Sequence, residues 1–399
     1  MTVFFNVTDA ISPSSRHGIT RTERQLAASL ATRPGVEFVV MAGGCLARVD
    51  AGDVAARLHQ GEGEASPVVE RFGIDQPPVP RRRAARSFMR VITARDSRGR
   101  ERFPTGVAPA VEPGDALVSV GLDWVHGLLD EAERWAFGKD ARYFGFCYDL
   151  IPIDHPEWLF PPDPLGFDQH FQRVTRFASS VLCISENTRS DFVRHYPDYG
   201  ADRVGVLRLG ADAAVATHPE HDHFAESLFD GEPYAVYCAT IDRRKNHQLL
   251  YRAAKEMARR GVAGNIAFVG KVGSGVDDLI DSLRHDPLVA GRIAHVSDCD
   301  DHYLAAIYKR ARFAVYPSLY EGWGLGVTEA LAHGTPCIVA TGSSLGEAGL
   351  GVCLELHPLR TSEWVETMTR YFDEPPALPA LHIPTWDEAA DALLELVAA

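Results

Sequence analysis

Between Phe313 and Ala340 a short apolar run, a glycine-bearing turn, an amphipathic stretch and a second apolar run follow one another without a break. This order predicts strand, crossover helix and parallel strand, because parallel neighbours need a long connection and a helix usually provides it. Phe313–Tyr316 and Cys337–Ala340 are the predicted strands. Gly322, Gly324 and Gly326 take the Cβ out of the turn, so the main chain there can approach a ligand closely. The helix beginning near Leu325 aims its free N–H groups and the positive end of its dipole at that turn. Glu321 stands before the helix and Glu329 inside it. Val327, Ala330 and Leu331 share one helical face and Glu329 falls on the other. Alone, Glu329 reads as a solvated side chain. Paired with Glu321 across a helix start, it suits a ligand carrying both an anion and hydroxyls, as a sugar nucleotide does.

The same alternation of apolar runs and helical patterns continues along the chain, the mark of βα units and parallel sheets. In the first half, strands are predicted at Val3–Val7, Glu37–Met41, Ala116–Val120, Tyr143–Cys147 and Val181–Ile184. In the second half they are predicted at Tyr234–Ala239, Asn265–Val269, Ile293–Val296, Phe313–Tyr316 and Cys337–Ala340. A chain of 399 residues suits two domains, each able to bury its own core. The polar segment from Asp212 to Pro233 reads as the linker between them. Two doubly wound domains bind ligands at the carboxyl ends of their strands, so the cleft between them is the expected site. The boundaries read as 1–212, 213–384 and a terminal helix over 385–399.

Fifty-four acidic against 40 basic residues argue against nucleic acid as a partner. The seven cysteines are scattered without a Cys-x-x-Cys pair, and Cys183, Cys238, Cys337 and Cys353 sit in apolar runs. Buried thiols in a reducing compartment are the expectation. The N-terminus lacks a basic region before its apolar run, and no apolar run is long enough to cross a bilayer, so a cytoplasmic protein is expected. One basic segment, 81–102, carries Arg81, Arg82, Arg83 and Arg86 among Phe88, Met89, Val91 and Ile92. It reads either as a solvated loop or as a surface for anionic lipid head groups at the inner membrane face.

Other motifs place charge at strand ends. Tyr234-Ala-Val-Tyr-Cys runs into Arg243, Arg244 and Lys245. Cations beyond a parallel strand can neutralise a diphosphate, the arginine as a planar fork and the lysine as a point charge. After the first strand, Gly18 precedes a helix carrying Arg21, with Leu26 and Leu30 inward. Asp298-Cys-Asp300 has the form of a metal-binding pair, but it precedes a helical pattern and reads as an N-cap. Gly270-Lys-Val-Gly-Ser-Gly275 lacks the spacing of a nucleotide P-loop.

Tyr316-Pro-Ser-Leu-Tyr-Glu-Gly-Trp-Gly-Leu, with Glu321 and Glu329 eight positions apart, resembles the signature of the retaining glycosyltransferases of family 4. Gly326 stands where that family usually has proline. Arg244-Lys245-Asn246 is similar to its phosphate motif, with Thr240 where many members have a further arginine. Tyr148-Asp149-Leu-Ile-Pro resembles its His-Asp-Leu-Ile-Pro segment, with tyrosine for histidine, and Leu182-Cys-Ile-Ser-Glu-Asn-Thr-Arg-Ser-Asp also matches. The resemblance covers nearly the whole chain. It implies a GT-B fold of two Rossmann-like domains, with a C-terminal helix, anchored by Trp386, crossing back onto the first.

For the site, the resemblance implies that Glu321, Arg244, Lys245 and Asp149 carry the chemistry. Gly18, Arg244, Lys245, Gly322, Trp323, Gly324, Leu325, Gly326 and Glu329 would hold the nucleotide sugar, Glu329 through the ribose hydroxyls. Asp149 would lie nearest the acceptor, or serve as a turn cap. No metal and no separate cofactor are expected; the nucleotide sugar, GDP- or UDP-linked, is a substrate. The wording of the motifs looks like bacterial mannosyltransferases of O-antigen and exopolysaccharide assembly, which makes GDP-mannose the first expected donor and a glycan or lipid-linked sugar the acceptor. A catalytically silent GT-B subunit binding glycan or a partner protein, or a nucleotide-sugar epimerase, are the alternatives.

Overall fold

The computed structural model describes residues 1–11, 18–42, 44–59, 67–72, 107–159, 163–211 and 217–399. The basic segment 81–102 lies outside them, as do 212–216 of the expected linker.

Eight strands come from the first half of the chain: β1 (Val3–Asn6), β2 (Val36–Ala42), β3 (Cys45–Val49), β4 (Val68–Arg71), β5 (Ala116–Val118), β6 (Arg142–Cys147), β7 (Ser180–Cys183) and β8 (Val204–Val206). Six come from the second: β9 (Tyr234–Cys238), β10 (Asn265–Val269), β11 (Ile293–Ser297), β12 (Phe313–Tyr316), β13 (Cys337–Ala340) and β14 (Leu354–Leu356). They form two sheets of seven, ordered β3-β2-β1-β5-β6-β7-β8 and β14-β13-β12-β9-β10-β11-β4. Each sheet is parallel except at one edge, where β3 pairs antiparallel with β2 and β4 with β11. This is the GT-B arrangement of two Rossmann-like sheets flanked by helices.

All ten predicted strands exist, within two residues at each end. Their near-continuous apolar character follows from burial on both faces: every residue of β1, β12 and β13 is buried, as parallel sheets covered by helices require. The strands that sequence patterning missed are β3, β4, β8 and β14. All four are the outermost strands of their sheets, and all but β8 carry a polar residue, as an edge with one side uncovered allows.

Strand β4 departs most from the expected organisation. It belongs by position to the first half, yet it adds to the second sheet. Phe72 N–H donates to Ile293 at 3.3 Å and the Gly291 N–H to Phe72 at 2.9 Å. Glu70 pairs with Arg284 at 2.7 Å and the Phe72 ring stacks parallel to His295. Helix Pro219–Ser227 occupies most of the described part of the expected linker, with Phe224 edge-on to Tyr303.

The terminal helix Trp386–Ala398 is capped by Thr385, whose hydroxyl accepts from Glu388 N–H while the Glu388 carboxylate accepts from Thr385 N–H. It packs on helix Gly18–Leu30 of the first domain. Arg33 holds it with ion pairs to Asp391 at 2.8 Å and Asp387 at 3.4 Å, and Trp386 is buried beneath. No helix among the described residues is long and apolar enough to cross a membrane.

Candidate active site

The second sheet reverses its winding at β9, which has β12 on one side and β10 on the other. A doubly wound sheet opens a crevice at such a point, outside the carboxyl ends of its strands. The turn leaving β9 carries Arg243–Asn246, and the loop leaving β12 carries Pro317–Gly324.

Local bonding ties these two segments together. Asp242 Oδ1 accepts from Lys245 N–H at 2.9 Å, closing the turn. Asn246 sits in the left-handed region at φ 57°, which asparagine tolerates better than most residues. Its amide donates to the carbonyls of Pro317 and Pro358, both at 2.9 Å. Leu319 N–H donates to the Arg244 carbonyl at 2.8 Å, and the Tyr237 hydroxyl to that of Lys245 at 2.7 Å. The asparagine of the Arg-Lys-Asn motif thus holds the turn, leaving its two neighbours to present charge.

Arg244 and Lys245 converge on one carboxylate. Arg244 Nη1 lies 2.6 Å from Glu321 Oε2, and Lys245 Nζ 2.5 Å from Glu321 Oε1. Arg244 also donates to the Tyr320 carbonyl at 2.7 Å. Burial pushes the Glu321 carboxyl up, but Arg244 and Lys245 outweigh it and bring it down to about 2. Arg244 is held charged by Glu321, Asp149 and Asp242 together. Asp149 lies close by from the other domain. Burial raises its carboxyl above the usual range, partly offset by Arg244. Asp149 Oδ1 also accepts from Ile151 N–H at 3.1 Å, so its turn-capping role is realised alongside its place at the site.

The glycines of the turn do different work from that expected. A Cβ on Gly322 would stand 1.9 Å from the carbonyl oxygen of Tyr148, and one on Gly326 would stand 2.8 Å from the Tyr316 ring. Both open faces are filled by protein and not turned to a ligand. Gly324, at φ +131°, sits where only glycine is at ease; it precedes helix Leu325–Ala332. The Trp323 side chain is buried, with its indole N–H unpartnered among the described residues. Its ring packs in the core, which leaves only its main chain open to a ligand. Gly18 lies beside Leu325, whose Cδ1 would be 3.7 Å from a Cβ there. The first domain therefore meets the start of this helix.

Glu329 is not solvated. Its carboxylate pairs with Arg21 at 3.4 Å, and Arg21 also reaches Asp301 at 3.1 Å. Tyr148, in the place of the usual histidine, donates its hydroxyl to the Val120 carbonyl at 2.6 Å. That hydroxyl is engaged by the protein. Asp300 caps helix Asp301–Arg310 by accepting from His302 N–H and Tyr303 N–H, both at 3.0 Å. Among the described residues no group of His, Cys, Asp and Glu is arranged to hold a metal.

Sequence reasoning missed the residues that join the halves here: Asn187, Asp191, Tyr320 and Glu347. Asn187 Nδ2 donates to the Tyr320 hydroxyl at 2.7 Å, and that hydroxyl bonds to Asp191. Glu347 accepts from Glu186 N–H and Asn187 N–H, both at 2.9 Å. The partners lie 129 to 161 positions apart, so no local spacing could reveal them.

Residues 219–348 match the model for the glycosyl transferases group 1. The chain is 28% identical over 203 residues to the serotype-specific mannosyltransferase WbdA of Escherichia coli, covering 48% of this chain and 25% of that protein. It is also 28% identical over 255 residues to the D-inositol 3-phosphate glycosyltransferase of Rhodococcus opacus (strain B4), covering 59% of this chain and 56% of that one. The chain thus spans a quarter of the length of the first relative and just over half of the second. In fold it resembles HepE of Anabaena, solved with UDP and glucose, at a TM-score of 0.60 and 14% identity over 98% of this chain and 94% of that one. The match to the glycosyl transferases group 1 model thus takes in Arg244, Lys245 and Glu321 at the switch point of the second sheet, and the chain shares its GT-B fold with HepE.

Proposed function

We propose that this protein transfers a sugar from a nucleotide sugar to a hydroxyl of a glycan or lipid-linked acceptor, with retention of anomeric configuration and without a metal. The observation that carries this reading is the convergence of Arg244, Lys245 and Glu321 at the switch point of the second sheet, with Asp149 of the first domain facing them. GDP-mannose is the first donor to test, on the likeness to WbdA, and a UDP-sugar the second.

In this reading the donor diphosphate lies against Arg244, Lys245 and the start of helix Leu325–Ala332. Glu321 takes hydroxyls of the transferred sugar and Glu329 those of the ribose. The bond from the anomeric carbon to the diphosphate oxygen breaks, and its electron pair leaves with the nucleoside diphosphate. The two cations and the helix dipole stabilise that departing charge where a metal would otherwise serve. The acceptor oxygen bonds to the anomeric carbon on the face just vacated, and its proton passes to the departing phosphate oxygen. Asp149 orients the acceptor.

The test is a panel of nucleotide sugars read by thermal shift and by release of nucleoside diphosphate. Stabilisation and turnover with a GDP- or UDP-sugar are expected. Stabilisation without release of the diphosphate, with or without acceptors, would turn the reading toward a binding subunit.

A further inference from the structure

Helix Glu186–His195 of the first domain begins with Ser185, whose hydroxyl accepts from Thr188 N–H at 3.0 Å. That bond is an adequate N-cap. The helix nevertheless carries a second anion at its start, the Glu347 carboxylate, brought by the second domain to the N–H groups of Glu186 and Asn187. A second cap adds little to a helix already capped. It does add a directed, charge-assisted contact between domains.

The contact continues into the loop that bears Glu321. Asn187 and Asp191, one helical turn apart, grip the Tyr320 hydroxyl. The Thr188 hydroxyl lies 3.2 Å from the Gly322 carbonyl and 3.3 Å from that of Tyr148. Both neighbours of Glu321 are thus held by the other domain, while Arg244 grips the Tyr320 carbonyl at 2.7 Å. Ser344, three residues before Glu347, places its hydroxyl 2.7 Å from the carbonyls of both Glu321 and Trp323. Ser344 thus ties the segment bearing Glu347 to the glutamate loop.

We propose that Asn187 and Asp191 are positioning residues for Glu321: through Tyr320 they set the loop so that Glu321 faces Arg244 and Lys245 only while the first domain is docked, with Glu347 as the second half of the joint. The inference rests on the transferase reading for its catalytic consequence, but the joint itself is a statement about the folded chain. It assigns a role to the Ser-Glu-Asn-Thr-Arg-Ser-Asp segment that substrate binding leaves unexplained. It also makes donor-site geometry depend on residues of the acceptor-side domain.

Amide hydrogen exchange tests the joint without turnover. In Asn187→Ala and in Tyr320→Phe, the amides of 318–324 should exchange roughly tenfold faster or more, the scale of losing one coupled contact. Amides of β10 and β11 should keep their wild-type rates. With an active donor in hand, both variants should lower kcat by about 10–100-fold, the cost of misplacing a catalytic group by about 1 Å, with the donor KM changed by less than about threefold. The double variant should be no worse than either single one. Glu347→Gln, which leaves the Asn187–Tyr320 contact in place, guards against a folding defect and should give a smaller change in the same peptide. Wild-type exchange over 318–324 in all three variants overturns the proposal, as does faster exchange with unchanged kcat. Absence of turnover by the wild type with every donor would sink the transferase reading instead, and the exchange rates would still decide the joint.

Discussion

The α-carbon of Gly322 faces the main-chain carbonyl oxygen of Tyr148 so closely that a Cβ would stand 1.9 Å from it. The two residues lie 174 positions apart in different domains, and their main chains touch beside Glu321. This contact explains a glycine in a turn whose backbone at that point is not left-handed: what it spares is space against protein.

Gly322→Ala should therefore force the domains apart or displace the loop. The cost of overpacking is typically about 1–3 kcal/mol, read as a lower Tm together with a fall in turnover. Wild-type values of both would show that the two main chains are not in contact in solution.

Arg244→Ala and Lys245→Ala should each lower kcat by roughly 10²–10³, the loss expected on removing one preorganised donor to developing charge. Their pairing with the same carboxylate makes the double variant less than additive. Steady-state kinetics with the identified donor check this, and near-normal turnover in both single variants would take them out of the site.

Chelation should leave activity intact. The Asp300 carboxylate is occupied in capping a helix, and in the proposed mechanism Arg244 and Lys245, in the turn after β9, supply the charge. Activity lost to EDTA and regained with magnesium or manganese would refute the metal-free mechanism.

The product linkage should keep the donor's anomeric configuration, an α-linkage from an α-linked donor such as GDP-mannose. Proton and carbon NMR couplings at the new anomeric centre settle it, and inversion would exclude the front-face route.

The triad should also leave a pH signature. The Glu321 carboxyl titrates at about 2 in the folded chain against 4.5 for an ordinary glutamate. A carboxylate depressed in this way stabilises the fold fully above the ordinary value, and that contribution is lost as pH falls through 4.5 toward 2. The difference in unfolding free energy between wild type and Glu321→Gln should be flat above pH 4.5 and should shrink below it. Denaturant unfolding over a pH series measures this. A difference that stays constant down to the acid transition would mean that the carboxylate is not paired.

Much of the molecule was legible in the chain itself. Ten strands announced themselves because parallel strands buried on both faces must be apolar throughout. Asp300 could be read as a helix cap because capping is a relation between residues two or three apart. The resemblance grouped Arg244, Lys245 and Glu321, and the three side chains do meet where strand ends of a doubly wound sheet converge. Tertiary structure alone decided the rest. The placement of β4 on the second sheet needs a partner more than 200 residues away, and its sequence is that of an ordinary half-polar edge. Gly322 and Gly326 look the same in sequence whether their open faces meet a ligand or a neighbour, and only packing shows Tyr148 and Tyr316 there. The grip of Asn187 and Asp191 on Tyr320, and of Glu347 on a foreign helix, carries no period and no spacing. Local patterns report forces that act within a few residues; contacts between domains are fixed by how two finished surfaces meet.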